Sequence, residues 1–172
     1  MNLIIMICFL IGGAVIQTVV PSSAFLGGAK LPVLLSFVLY YALTRSVVTT
    51  MIAGFLAGFL QDVLSQIPLG HSVFCFCIAG WLAGYFRSMV LADSIFTTLI
   101  FGGIANAIVT VFFFLMLVQE DLIKYTYGLI TLKIFGALLL GMITTPIIFH
   151  LAGRVDRLVG NVELEHSLDD VE

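Results

Sequence analysis

The residue best placed to do chemistry in this chain is Asp62, at the end of a glycine ladder in an otherwise apolar run. The stretch reads Gly54-Phe-Leu-Ala-Gly58-Phe-Leu-Gln-Asp62-Val-Leu-Ser65-Gln-Ile-Pro68-Leu69-Gly70. At about 100° per helical residue, positions 54, 58 and 62 stack on one face. Glycines on such a face let a second helix backbone come close. A carboxylate within or beside a bilayer-spanning segment is costly and usually has a task. Two tasks fit. The carboxylate could receive a partner's transmembrane helix or its juxtamembrane basic residues. Alternatively it could cap a neighbouring helix start or the loop 65–70, whose Ser, Pro and Gly are turn residues. An Asp near the C-terminus of its own helix meets the wrong end of the dipole, so something must compensate it.

The other reactive side chains do not assemble a catalyst on paper. An aspartyl hydrolase needs two carboxylates sharing one water. The only other acid before Glu120 is Asp93, which belongs at the opposite membrane face. Metal catalysis needs at least three ligands, and His71, His150 and His166 fall at one face, the other face and the tail. Cys75-Phe-Cys77 has one intervening residue where a metal or redox motif has two, so with Cys8 these thiols read as small hydrophobes. There is no nucleophile elbow and no phosphate-binding glycine loop. The reading is therefore a chain without catalytic residues, cofactor or metal.

The elements that must position Asp62 are membrane helices. Hydrophobic residues make up 61% of the 172 and charged ones 10%, with mean hydropathy +1.19. Soluble domains run to about 45–50% apolar and about 25% charged. The net charge of −3 comes largely from the last twenty residues, which carry Asp156, Glu163, Glu165, Asp169, Asp170 and Glu172. No basic patch suggests nucleic acid. The first apolar stretch lacks any Lys or Arg before Lys30, so it reads as a retained helix rather than a secretory signal.

Apolar runs predict six spans, at 2–20, 32–43, 46–63, 69–86, 94–118 and 127–151. The count is five if the short second segment, opened by Pro32, does not cross. The expected fold class is all-α, a polytopic membrane helix bundle over 1–152 followed by an acidic tail over 153–172. With six spans, Arg45, Arg87, Arg154 and Arg157 share one side, and Lys30, Lys124, Glu120 and Asp121 the other. The Arg-rich side is expected to be cytoplasmic, with both termini.

Small residues mark the expected helix contacts. Gly80-Trp-Leu-Ala-Gly84 repeats the spacing of Gly54 and Gly58, suggesting an antiparallel pair. Gly103-xxx-Ala107 and Ala137-xxx-Gly141 offer a weaker match. Gln17 and Asn106 read as interhelical hydrogen bonds or as ligand contacts. Lys133 reads as snorkelling outwards or pairing with an acid, and Phe112-Phe113-Phe114 as lipid-facing bulk.

The run Gly54-xxx-Gly58-xxx-Asp62-xx-Ser65-xxx-Leu69-Gly70 resembles the MreD family of rod-shape-determining membrane proteins. Pro32 opening the preceding helix, Arg45 in the short turn and the small-residue helix ending at Arg87 fit the same pattern. Relatives often carry an acidic residue or Asn after that proline, where this chain has Val33. The resemblance implies a non-enzymatic scaffold of the bacterial inner membrane. It would bind MreC, linking MreB filaments to RodA and its penicillin-binding transpeptidase in side-wall peptidoglycan synthesis, with a homo-oligomer as an option. On that reading Gly54, Gly58, Asp62, Gly70, Gly80 and Gly84 are the packing and partner residues. The family is also similar to the substrate-binding subunits of energy-coupling-factor vitamin transporters. That gives the alternative function, and it requires an outward pocket with convergent polar groups.

Overall fold

The computed structural model describes residues 3–20, 30–65, 68–87, 95–119 and 127–158. Six helices account for them, with no strand among the described residues. They are α1 (Leu3–Val19), α2 (Val33–Thr44), α3 (Val47–Ser65), α4 (His71–Tyr85), α5 (Ile95–Gln119) and α6 (Tyr127–Leu158).

The bundle is built round its shortest helix. α2 is 12 residues long, and every residue from Val33 to Leu43 is buried. A helix that is apolar all round belongs inside others, and α2 touches each of the other five. Pro32 precedes its first turn, where a missing N–H costs nothing. At Arg45 the backbone turns extended and ends the helix. Twelve residues rise roughly 18 Å, well short of a hydrocarbon core about 30 Å thick. α2 therefore does not cross such a core by its own length. α3, α5 and α6 are long and apolar enough to do so, while α1 and α4 are shorter apolar helices.

Side-chain contacts fix the direction of each helix. The C-terminal parts of α1 and α3 meet the start of α2 through Gln17, Gln61 and Leu34. The C-terminal ends of α2, α4 and α6 meet through Arg45, Arg87 and Asp156. Successive helices thus alternate in direction, giving an Asp62 end and an Arg45 end. Between the ends the outer surface is apolar, with Ile11, Val15, Phe55, Phe59, Trp81, Leu115 and Ile143 all exposed. Phe112 is exposed on that surface, but Phe113 packs against the core, so the triplet is only partly lipid-facing bulk.

α6 departs from the expected boundary at 152. It runs to Leu158 over Pro146, 32 residues in all. Its polar end continues because Asp156 is held by groups on α2 and just beyond it, so the helix leaves the apolar zone already anchored. The tail beyond Leu158 lies outside the described residues, as do Asp93, Glu120, Asp121 and Lys124.

α5 and α6 form a close pair through small residues. A Cβ added to Gly141 would lie 2.7 Å from the Gly102 carbonyl oxygen, and one on Gly103 would lie 2.6 Å from Met142 Cγ. Asn106 donates its amide N–H to the Ala137 carbonyl oxygen across this seam. The side chain is thus an interhelical hydrogen bond and not a ligand contact.

Candidate functional site: polar clusters at the two ends of the bundle

At the first end Asp62 faces the start of α4. Its side chain has no exposed surface. Oδ2 accepts the Gly70 N–H at 2.7 Å and Oδ1 accepts the Ser72 N–H at 2.9 Å. Gly70 is the N-cap of α4, with φ +107°. No side chain of its own supplies a cap there. The first N–H groups of a helix lack intrahelical partners, and a carboxylate beside them gains from the helix dipole. Asp62, at the wrong end of α3, is therefore at the right end of α4. That is the compensation its position demands.

The glycine ladder brings the carboxylate there. A Cβ on Gly58 would lie 2.5 Å from the Val73 backbone nitrogen, and one on Gly54 would lie 3.3 Å from Cys77 Cα. On the facing helix a Cβ at Gly80 would press on Thr50 Cγ2 at 2.8 Å. Gly84 is looser, with Ala42 O 3.8 Å from the added atom. Gly70 has open space around its missing side chain, so its requirement is the left-handed backbone alone. The face that stacks Gly54, Gly58 and Asp62 is covered by α4. Asp62 cannot be reached by a partner helix in this arrangement.

Beside it a second cap repeats the device with neutral groups. Gln17 Oε1 accepts the Leu34 N–H at 3.3 Å, at the first turn of α2. Gln17 Nε2 donates to Gln61 Oε1 at 2.6 Å, and Gln61 Nε2 donates to Ser65 Oγ at 3.0 Å. The sequence offers Gln61 in no role of its own and Ser65 only as a turn and motif residue. Only their places one residue before and three after Asp62 connected them to this end.

At the opposite end Asp156 Oδ2 receives two donors. Arg45 Nη2 lies 3.0 Å away, and the Tyr40 hydroxyl donates at 2.8 Å. The ion pair is mostly buried, with side-chain exposures of 10% and 15%. Arg87 Nη1 donates to the Arg45 carbonyl oxygen at 3.4 Å, near the C-terminus of α2 where a cation is favoured. Tyr40 and Asp156 stand 116 residues apart, and nothing local in the sequence pairs them. In the first turn of α2, Ser36 Oγ and Thr145 Oγ1 of α6 are 3.3 Å apart, a further polar link the sequence did not announce.

These polar groups hold helix ends together. Both oxygens of Asp62 and both ends of the Gln17 amide are engaged by other parts of the bundle. Lys30 is exposed and Lys133 half-buried on α6. The two acids among the described residues, Asp62 and Asp156, are engaged away from Lys133. The family model of the rod shape-determining protein MreD matches residues 1–155. The chain belongs to the MreD family. MreD proteins are shape-determining membrane proteins, not a known enzyme family, and the apolar helices described above fit that setting. No curated protein and no solved structure gives a match.

Proposed function

We propose that this MreD chain is a non-enzymatic scaffold of the bacterial elongation machinery. It holds the bitopic protein MreC in the inner membrane, and through it links MreB filaments to the side-wall synthesis enzymes RodA and its transpeptidase. The family match over residues 1–155 carries this reading. The polar groups support it, because those at both ends are spent on joining helices into a fixed platform. Both termini lie in the cytoplasm on this reading, since the Arg45 and Arg87 end carries the larger share of the basic residues.

The transporter alternative gains nothing from the arrangement. Of its candidate polar groups, Asp62 and Gln17 are already engaged by backbone N–H groups and by Gln61 within the bundle. Purification of the tagged chain from native membranes tests the assignment directly. MreC is expected in the recovered complex. Recovery of transporter ATPase subunits with MreC absent would overturn the scaffold reading.

A further inference from the structure

The two halves of α6 rest on different helices, and Pro146 stands where the partner changes. Before the proline, α6 is locked to α5. Asn106 donates to the Ala137 carbonyl oxygen. A Cβ added to Gly102 would run into the Thr145 side chain, and one added to Gly141 into Asn106. Beyond the proline, α6 lies on α2. Ile148, Phe149 and Ala152 join the core that surrounds α2. The Phe149 ring meets Tyr40 edge-on, with centroids 5.4 Å apart, and Asp156 takes the Tyr40 hydroxyl and Arg45. Thr145 sits at the junction, against Gly102 of α5 and Ser36 of α2. α2 and α5 touch each other only sparingly, so each half of α6 has its own anchor.

The helix is weakest at that junction. Pro146 has no N–H for the carbonyl four residues back, on Met142, and its ring crowds that oxygen. Membrane helices tolerate such a gap, and sharp helix bends concentrate at proline. Thr144 Oγ1 donates to the Leu140 carbonyl oxygen at 2.6 Å, a back-bond that also favours bending.

We infer that residues 147–158 form a strap across the C-terminal half of α2, hinged at Pro146 and held down by Asp156. The strap lifts from α2 while residues 127–145 stay on α5. Lifting uncovers Tyr40 and loosens the helix on which the other five pack. The contacts of Asp156 therefore set whether the bundle is closed at its Arg45 end.

The test is a spin-label distance measurement on the full chain in lipid nanodiscs, with Cys8, Cys75 and Cys77 replaced. One label goes on exposed Phe55 of α3, the second on Gly153 in the strap or on Gly128 in the other half. A Cβ at either glycine meets nothing within 4 Å, so both positions have room. Seven residue steps from Pro146 give a lever of roughly 10 Å, and a bend of about 20° moves Gly153 by about 4 Å. Asp156→Ala should add a second population to the 55–153 distance, displaced by about that amount, and leave the 55–128 distance unchanged. If that variant does not fold, Tyr40→Phe weakens the same anchor with the ring retained. Adding Pro146→Ala should remove the second population, since a continuous helix can lift only by also breaking the α5 seam. A 55–153 distance unchanged in a folded anchor variant overturns the strap. A shift shared by the 55–128 pair shows α6 moving as one rod and overturns it too. A second population that survives Pro146→Ala overturns the hinge.

Discussion

Asp62 and Gly70 are joined across eight residues by a carboxylate–amide hydrogen bond of 2.7 Å. The bond turns the end of α3 into the cap of α4 and closes the connection between them. It makes Asp62 a residue of assembly, and it changes what Asp62→Asn should do. The sequence alone suggests that this substitution would weaken partner recovery more than it lowers the amount of folded protein. With both oxygens accepting N–H groups in a buried site, an amide keeps one acceptor and sets its own NH₂ against the second donor. Asp62→Asn should cost about 1–3 kcal/mol, and any loss of partner should follow the loss of folded protein. Thermal unfolding in detergent, set beside partner recovery per folded molecule, separates the two. Normal stability with lost partner would restore a docking role for this carboxylate.

The glycines should not respond alike. Gly58→Ala places its methyl against the α4 backbone, which cannot rotate away, so this smallest of changes should force α3 and α4 apart. Gly54→Ala is tight but tolerable at 3.3 Å, and Gly84→Ala meets only an ordinary contact at 3.8 Å. Gly70→Ala has room, yet the left-handed backbone should cost about 1–2 kcal/mol. Folded yield by size exclusion should rank Gly84→Ala above Gly54→Ala above Gly58→Ala. Equal yields for Gly58→Ala and Gly84→Ala would refute the close approach.

The contrast between the two ends explains how much the sequence could disclose. The Gly54, Gly58 and Asp62 face and its short connection to α4 are local, so their periodicity and turn residues were legible. The family resemblance rested on the same stretch. α2 was legible as a short apolar segment, but its place at the centre was not. An apolar run reads the same whether lipid or protein surrounds it, and only α2's burial by five neighbours decides. From the sequence alone Asp156 reads as part of the acidic tail over 153–172. Its partners, Arg45 and Tyr40, are more than a hundred residues away. Pairings of that range are set by the tertiary packing of α2 on α6, which no local pattern encodes.

Orientation is tested at two exposed positions, Ser46 beside Arg45 and Leu69 beside Gly70. On a background with Cys8, Cys75 and Cys77 replaced by Ser or Ala, single cysteines are introduced at 46 or at 69. A membrane-impermeant maleimide added to spheroplasts should label position 69 and leave position 46 unlabelled until the membrane is broken. The reverse pattern would place the Arg45 end outside and invert the proposed topology.

The Arg45–Asp156 pair should act as the clasp between the ends of α2 and α6. Both charges are mostly withdrawn from water, so removing one leaves the other without its compensation. Asp156→Ala should destabilise by up to about 3 kcal/mol, since it deprives Arg45 and the Tyr40 hydroxyl together. Tyr40→Phe should cost about 1.5 kcal/mol, the hydrogen bond to a charged group being lost with the ring packing retained. Replacing both ions, Arg45→Met with Asp156→Leu, should restore much of the stability lost in either single variant, because a buried ion pair is often matched by apolar side chains of similar size. The double-mutant cycle reads this as a coupling between the two sites. Additive losses would show that the 3.0 Å contact contributes nothing to holding α6 on α2, and that the helix continues past residue 152 for some other reason.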